Sequence, residues 1–274
     1  MYNNSILVFD SWIWSYSVVK ELLELLPNEN IIYLADRNSF PYGKKNKEQL
    51  MDNMLWVIHF FEKNYNPKLI LIASNTPSIQ VLDELKTTIQ TPLFGVFPPI
   101  KEASHISQTK KVAILATQSA VESKEITDFI NKQVNISETE VFKVNASPMV
   151  DLIEPGTFLN DHDTCIDVCR EVLDFYVKEK NIDVITLSST HLPFLKKYIQ
   201  ELYPEIKLLD PAVDVSKDIK NYLEINNLLS AESWSIKVLW TQNESKNLFN
   251  NELENIFHKM WFICKVEEVI ISDT

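Results

Sequence analysis

A chain of 274 residues with 45% hydrophobic side chains has the composition of a soluble globular protein of one large or two modest domains. Its 38 acidic against 26 basic side chains, a net charge of −12, disfavour a broad phosphate-binding surface, so no direct nucleic-acid partner is expected. Three cysteines without framework spacing (Cys165, Cys169, Cys264), no basic or apolar leader and no apolar run near the ~20 residues of a membrane span predict a cytoplasmic protein without a membrane partner.

In chain order, apolar runs of strand length alternate with amphipathic stretches. Ile6 to Phe9 predicts a strand ending at Asp10-Ser11, and Val18 to Leu26 a helix. Strand Ile31 to Ala35 is followed by helix Lys47 to Tyr65, strand Lys68 to Ala73, helix Pro77 to Lys86 and the short strand Leu93 to Val96. Phe97-Pro98-Pro99 reads as a crossing point, because proline stops both helix and ladder. A second series follows: strand Lys111 to Ala116, helix Ser119 to Lys132, strand Glu138 to Val144, helix Cys165 to Lys178, strand Val184 to Leu187, helix Leu192 to Leu202 and strand Ile206 to Leu209. The final segment predicts a helix Val213 to Tyr222, a strand Ile236 to Trp240, a helix Lys246 to His258 and a strand Trp261 to Val266. This alternation predicts an α/β fold of two similar doubly wound parallel-sheet domains with an interdomain cleft.

Ligands of open α/β sheets sit outside the carboxyl ends of the strands. The polar residues there are Asp10-Ser11, Asp36, Ser74-Asn75-Thr76, Thr117 and Ser188-Ser189-Thr190-His191. The clusters at 74–76 and 188–191 match each other and predict two half-sites for one ligand.

Several segments resemble, in order, those of the glutamate racemase family of the aspartate/glutamate racemase superfamily. Phe9-Asp10-Ser11 is similar to its opening FDS, residues 26–33 to LPNExIxY, and Asp36 with Phe40-Pro41-Tyr42-Gly43 to D…FPYG. Ala73-Ser74-Asn75-Thr76 stands where the family has ACNT, Ala116-Thr117-Gln118 where it has ATxGT, and Ser188 to Pro193 where it has GCTHYP. Pro148 to Gly156, with Glu154, resembles its P…VE.G segment. The resemblance implies one domain of residues 1–98 plus 212–274 and another of 99–211. It also implies cofactor-independent interconversion of L- and D-glutamate for peptidoglycan, by two cysteine thiols on opposite faces of the α-carbon. On it, Asp10, Glu154 and His191 match the acidic and imidazole helpers. Ser11, Pro41, Tyr42, Gly43, Asn75, Thr76, Thr117 and Thr190 match substrate-binding positions. It leaves room for a homodimer and for a protein partner, and it implies an acidic amino acid or related small molecule as ligand.

The departures carry as much information. Both thiol positions are serine, Ser74 and Ser189. A free thiol titrates near 8.5 and water, standing in for an alcohol, near 15.7, so an alkoxide base costs about 10 kcal/mol more. That predicts lost or strongly reduced racemisation. The readings kept beside it are an active isomerase or lyase working through Asp10, His191 or activated serines, and a non-catalytic binding or regulatory protein. Where the family continues with a glycine-rich turn, this chain has Trp12-Ile13-Trp14-Ser15, whose indoles fit a binding surface, a plug or core. Only 3 glycines occur, about one per cent against a usual ~7%, so the chain has either replaced its tight loops or lost the function they served. Taken singly, Ser74 and Ser189 read as helix caps, Asp10 as a cap or turn residue, His191 as structural and Glu154 as a solvated turn residue. His162, Cys165 and Cys169 share one helix face but lack a fourth ligand, so the two cysteines read as core and no metal is expected.

Overall fold

The computed structural model describes residues 4–153, 155–231, 235–241 and 265–269. Two compact units divide the chain: Met1–Val96 with Val215–Thr274, and Phe97–Asp214.

The first unit is built on a parallel sheet. Its strands are β1 (Ile6–Asp10), β2 (Ile31–Ala35), β3 (Leu69–Ile72), β4 (Leu93–Gly95), β9 (Ile236–Thr241) and β10 (Lys265–Val269), in the order β10-β9-β2-β1-β3-β4 among the described residues. Every residue of β1, β2 and β3 is buried, as expected for parallel strands covered on both faces. Each large aliphatic side chain buried there contributes about 1.5–3 kcal/mol. Helix α1 (Tyr16–Leu25) buries Tyr16, Val18, Val19 and Leu22, and α2 (Lys47–Tyr65) buries Leu50, Met54, Val57, Ile58 and Phe61, the spacing of a single apolar face. Asn46 and Gln49 form a reciprocal capping box at the start of α2, and Asn66 ends it in the left-handed conformation.

The second unit repeats the plan on a smaller sheet. Its strands are β5 (Lys111–Ala116), β6 (Glu140–Asn145), β7 (Val184–Leu187) and β8 (Lys207–Leu209), all parallel in the order β6-β5-β7-β8. Set beside the β2-β1-β3-β4 portion of the first sheet, this is the same strand order. The echo between the halves is topological.

Several elements differ from their sequence-based expectations. The helix expected over Pro77 to Lys86 is two helices, α3 (Asn75–Gln80) and α4 (Leu82–Thr88), parted at Val81. The helix expected over Ser119 to Lys132 is likewise α6 (Gln118–Glu122) and α7 (Lys124–Gln133), with Ser123 capping the second through Ile126 N–H. Two helices were not foreseen, α5 (Ile100–Ile106) after the prolines and α8 (Ser147–Ile153). Helix α9 (His162–Asp174) runs on into a π-turn, Phe175–Glu179, where a continuous helix was expected. The 3-10 turn Leu192–Leu195 precedes α10 (Lys196–Leu202), and α11 (Pro211–Ile225) is longer than its predicted core. The predicted helix Lys246 to His258, residues 261–264 of the predicted last strand, Glu154 and Cys264 lie outside the described residues.

The glycine shortage is met by asparagine. Asn4, Asn66, Asn181 and Asn227, with Lys110, take positive φ, whereas Gly156 is the glycine that does so. Asparagine tolerates this region because its short polar side chain bonds locally. Gly95 serves packing instead. A Cβ there would sit 2.6 Å from Leu82 Cδ2 and 2.6 Å from Ser78 Oγ. Among the described residues, no helix is long and apolar enough to cross a membrane.

Candidate functional site

In each unit the chain leaves the central strand to one side, returns and continues on the other. This makes a topological switch point between β1 and β3 and another between β5 and β7, the positions where open α/β sheets bind ligands. Phe9 is in register with Ile72, and Ala73 N–H donates to Phe9 O at 2.8 Å, so Asp10 and Ser74 emerge side by side. In the second unit Leu115 is in register with Leu187, and Ser188 N–H donates to Leu115 O at 2.8 Å. Thr117 and Ser189 therefore emerge from equivalent strand ends.

The first cluster is closely wired. The Asp10 carboxylate, 5% exposed, accepts from Ser11 N–H at 2.6 Å and from Ser11 Oγ at 3.3 Å. This adjacent-residue bond orients the carboxylate at the strand end. Asp36 N–H donates to Asp10 O at 2.7 Å, tying the end of β2 to that of β1. The Asp36 side chain is fully buried and accepts from Tyr42 Oη at 3.0 Å and Thr241 Oγ1 at 3.2 Å. Burial raises its pKa above the ordinary carboxylate value, and hydrogen bonds from Ser39, Tyr42 and Thr241 oppose the rise. Burial, with the neighbouring Asp36 and Asp10 carboxylates, pushes the Tyr42 phenol well above its ordinary value, so Tyr42 acts as a hydrogen-bond donor. The Tyr42–Lys44 turn packs against α3, which begins Asn75-Thr76. The structure thus brings Asp10, Ser11, Pro41, Tyr42, Gly43, Ser74, Asn75 and Thr76 to one end of one sheet.

Ser74 does not behave as the helix cap that its place in the sequence suggests. It occupies the N-cap position of α3, half-buried and extended, yet its side chain makes no capping hydrogen bond. The anchoring falls to Ser78, whose Oγ donates to Ser74 O at 2.6 Å and accepts from Val96 N–H at 3.1 Å. Ser78 was not singled out by sequence. Its signal lay in a serine four residues along a helix, where the hydroxyl reaches back to the i−4 carbonyl.

In the second unit Ser189 Oγ lies 3.4 Å from His191 Nδ1, and both residues are half-buried. Ser189 is likewise not a cap, since His191 precedes the Leu192–Leu195 turn. Ser188 bonds Thr186 through their hydroxyls at 2.8 Å, and Thr190 is 9% exposed. Thr117 Oγ1 lies 3.3 Å from Ser119 Oγ. Helix α8, missed by sequence, packs against the turn that follows His191 and ends next to position 154.

The two indoles of the first turn are inward-facing. Trp14 is 1% and Trp12 8% exposed, and Trp12 O accepts from Tyr33 Oη at 2.6 Å. Cys165 and Cys169 are fully buried, and burial pushes the Cys169 thiol up to about 12, the behaviour of inert core cysteines. His162 is exposed on the surface of the same helix, bonded to Glu201 and Asp163.

Residues 15–213 match the model of the Asp/Glu/Hydantoin racemase family. A glutamate racemase of Carboxydothermus hydrogenoformans is 34% identical over 247 residues, covering 88% of this chain and 89% of that relative. The structure of glutamate racemase from Francisella tularensis in complex with D-glutamate superposes with a TM-score of 0.78 at 28% identity, covering 99% of each chain. That of Thermus thermophilus glutamate racemase in complex with beta-chloro-D-alanine gives 0.80 at 26% identity, covering 97% of each. With a family match over most of its length and a relative 34% identical over 88% of the chain, the chain belongs to the Asp/Glu/Hydantoin racemase family and is related, within it, to the glutamate racemases.

Proposed function

We propose that this protein binds an acidic amino acid, glutamate or a close analogue, at its strand-end clusters and racemises it poorly or not at all. The single observation that carries the reading is the state of the two serines. Ser74 Oγ makes no capping bond, and Ser189 Oγ has an imidazole nitrogen at 3.4 Å, too distant to take its proton in a firm hydrogen bond. Neither is arranged as a standing base, and an alkoxide lies about 10 kcal/mol above a thiolate. A nearby imidazole assists a serine during acyl attack, where the proton leaves as the bond forms. Abstraction of an α-proton offers no such concerted exit.

In this reading Asp10 and Ser11 contact the ligand from the first unit beside Asn75, Thr76, Tyr42 and Gly43. Thr117, Thr190 and His191 are the corresponding candidates at the strand ends of the second unit. The family's supply of D-glutamate for peptidoglycan is then reduced or lost in this copy. The ligand identity comes from relatives whose structures hold D-glutamate or beta-chloro-D-alanine. No cofactor is needed for binding.

The test is incubation of the purified protein with L-glutamate and chiral quantification of the product, with calorimetric titration of both enantiomers. Micromolar to millimolar binding with no D-glutamate is expected. Turnover at a rate usual for enzymes, on the order of 1–10³ per second, overturns the loss of racemisation. A second reading, an isomerase or lyase acting from one face, draws on the Ser189–His191 approach. It predicts solvent deuterium at the α-carbon of one enantiomer.

A further inference from the structure

The turn after β1 and the loop after β2 are joined by a contact that no local sequence pattern announces. Arg37 is 2% exposed, and its guanidinium carbon lies 4.3 Å from the centre of the Trp12 ring and 5.7 Å from that of Trp240. Trp12 belongs to the turn that follows Asp10-Ser11, whereas Trp240 lies near the end of β9. The Trp12 ring also meets Phe40 at 5.8 Å. A cation from one loop is therefore held against indoles from two other segments, all within the first unit.

Two hydrogen bonds tighten the same junction. Trp12 O accepts from Tyr33 Oη at 2.6 Å, fixing the turn to β2. Asn38 N–H donates to Thr241 Oγ1 at 3.0 Å, fixing the loop to the end of β9. The guanidinium suits this place because it is planar and weakly hydrated, so it stacks on indole faces with less desolvation than an ammonium. A turn built on glycine would leave these segments freer to move. Here the turn and the loop are stapled.

We propose that Arg37 is a positioning residue: stacked on Trp12 and Trp240, it locks the 11–15 turn against the 36–43 loop. Ser11 and Tyr42-Gly43 are thereby held in one arrangement before a ligand arrives, which lowers the ordering cost of binding. The functional consequence rests on the small-ligand reading above; the clamp itself does not.

The experiment uses the full chain and its Arg37→Met variant, which keeps an apolar stem and removes the guanidinium. Amide hydrogen exchange is followed in segments 11–15 and 37–45, with β5 and β7 as internal controls, and both enantiomers of glutamate are titrated calorimetrically. Exchange in the two segments is expected to rise about tenfold with the controls unchanged, and affinity to fall about tenfold. Unchanged exchange in both segments overturns the clamp. Faster exchange with unaltered affinity overturns the positioning role. If Arg37→Met does not fold, Trp240→Leu carries the same readouts, and Trp240→Phe, which keeps a ring face, is expected to stay within about twofold of the parent chain. If the parent chain binds neither enantiomer, the small-ligand reading fails alone and the exchange data still decide the clamp.

Discussion

Ser189 Oγ lies 3.4 Å from His191 Nδ1, whereas Ser74 caps nothing although it starts a helix. The two hydroxyls that the family resemblance sets at thiol positions are thus in unlike surroundings. Restoring both sulfurs through Ser74→Cys with Ser189→Cys is expected to raise D-glutamate formation. The thiol-to-alcohol difference is about 10 kcal/mol, and recovering only ~4 kcal/mol of it gives about a thousandfold. Either substitution alone should yield far less, because racemisation needs a proton donor and acceptor on opposite faces. A double variant no faster than its parent would show that the two hydroxyls do not limit racemisation.

Gly95→Ala should destabilise the first unit by about 1–3 kcal/mol, the usual cost of overpacking. The added methyl would meet Ser78 Oγ and Leu82 Cδ2 at 2.6 Å. Ser78 cannot yield cheaply, since its hydroxyl holds Ser74 O and Val96 N–H. Urea unfolding measures the loss, and a neutral result would mean that α3 and α4 shift freely.

Lys68 and Glu29 form a buried pair, Nζ to Oε2 at 2.6 Å, with side chains 7% and 1% exposed. Lys68 Nζ also donates to Leu228 O at 2.8 Å and Ser230 Oγ at 3.0 Å, and Ser230 N–H donates to Glu29 Oε1 at 2.8 Å. Removing one charge leaves the other buried alone. Lys68→Met is therefore expected to cost about 3–5 kcal/mol in chemical denaturation, and Lys68→Met with Glu29→Gln less than the sum of the single changes. A loss under about 1 kcal/mol for Lys68→Met would contradict this.

His162 has its pKa raised by hydrogen bonds to Glu201 first and Asp163 second. A raised histidine binds its proton more tightly folded than unfolded. The stabilisation is fully present below the unfolded value of about 6.5 and fades as pH rises through the folded one. An NMR titration should place the His162 midpoint above the ordinary value, and Glu201→Gln should lower it. An unmoved midpoint in that variant would show that the Glu201 contact is not made in solution.

Much of the fold can be read from the letters. The strands Ile31–Ala35, Lys111–Ala116 and Val184–Leu187 fall on apolar runs bounded by polar residues, and α2 on one apolar stripe. The split helices were less legible. Val81 and Ser123 interrupt runs whose periodicity continues across them, and Ser123 does so by capping α7 through its own hydroxyl. Helices α5 and α8 are short, the first following Pro99 and the second holding Pro148 in its first turn, where a propensity reading finds only a turn.

The division of labour is clearest at the first strand end. By itself, the sequence determined that Asp10, Ser74, Thr117 and Ser189 stand at or just past the ends of buried strands, because a covered parallel strand is largely apolar and its polar groups gather where it ends. It also showed serine at both 74 and 189, the positions where the resemblance implies thiols. Only the tertiary structure decided that four strands of the first sheet repeat the order of the second, that Trp12 and Trp14 fold inward and that Arg37 lies against Trp12 and Trp240. Residues 12, 37 and 240 meet through three parallel strands. No local period encodes such a contact, because it arises only when the sheet sets distant strand ends side by side.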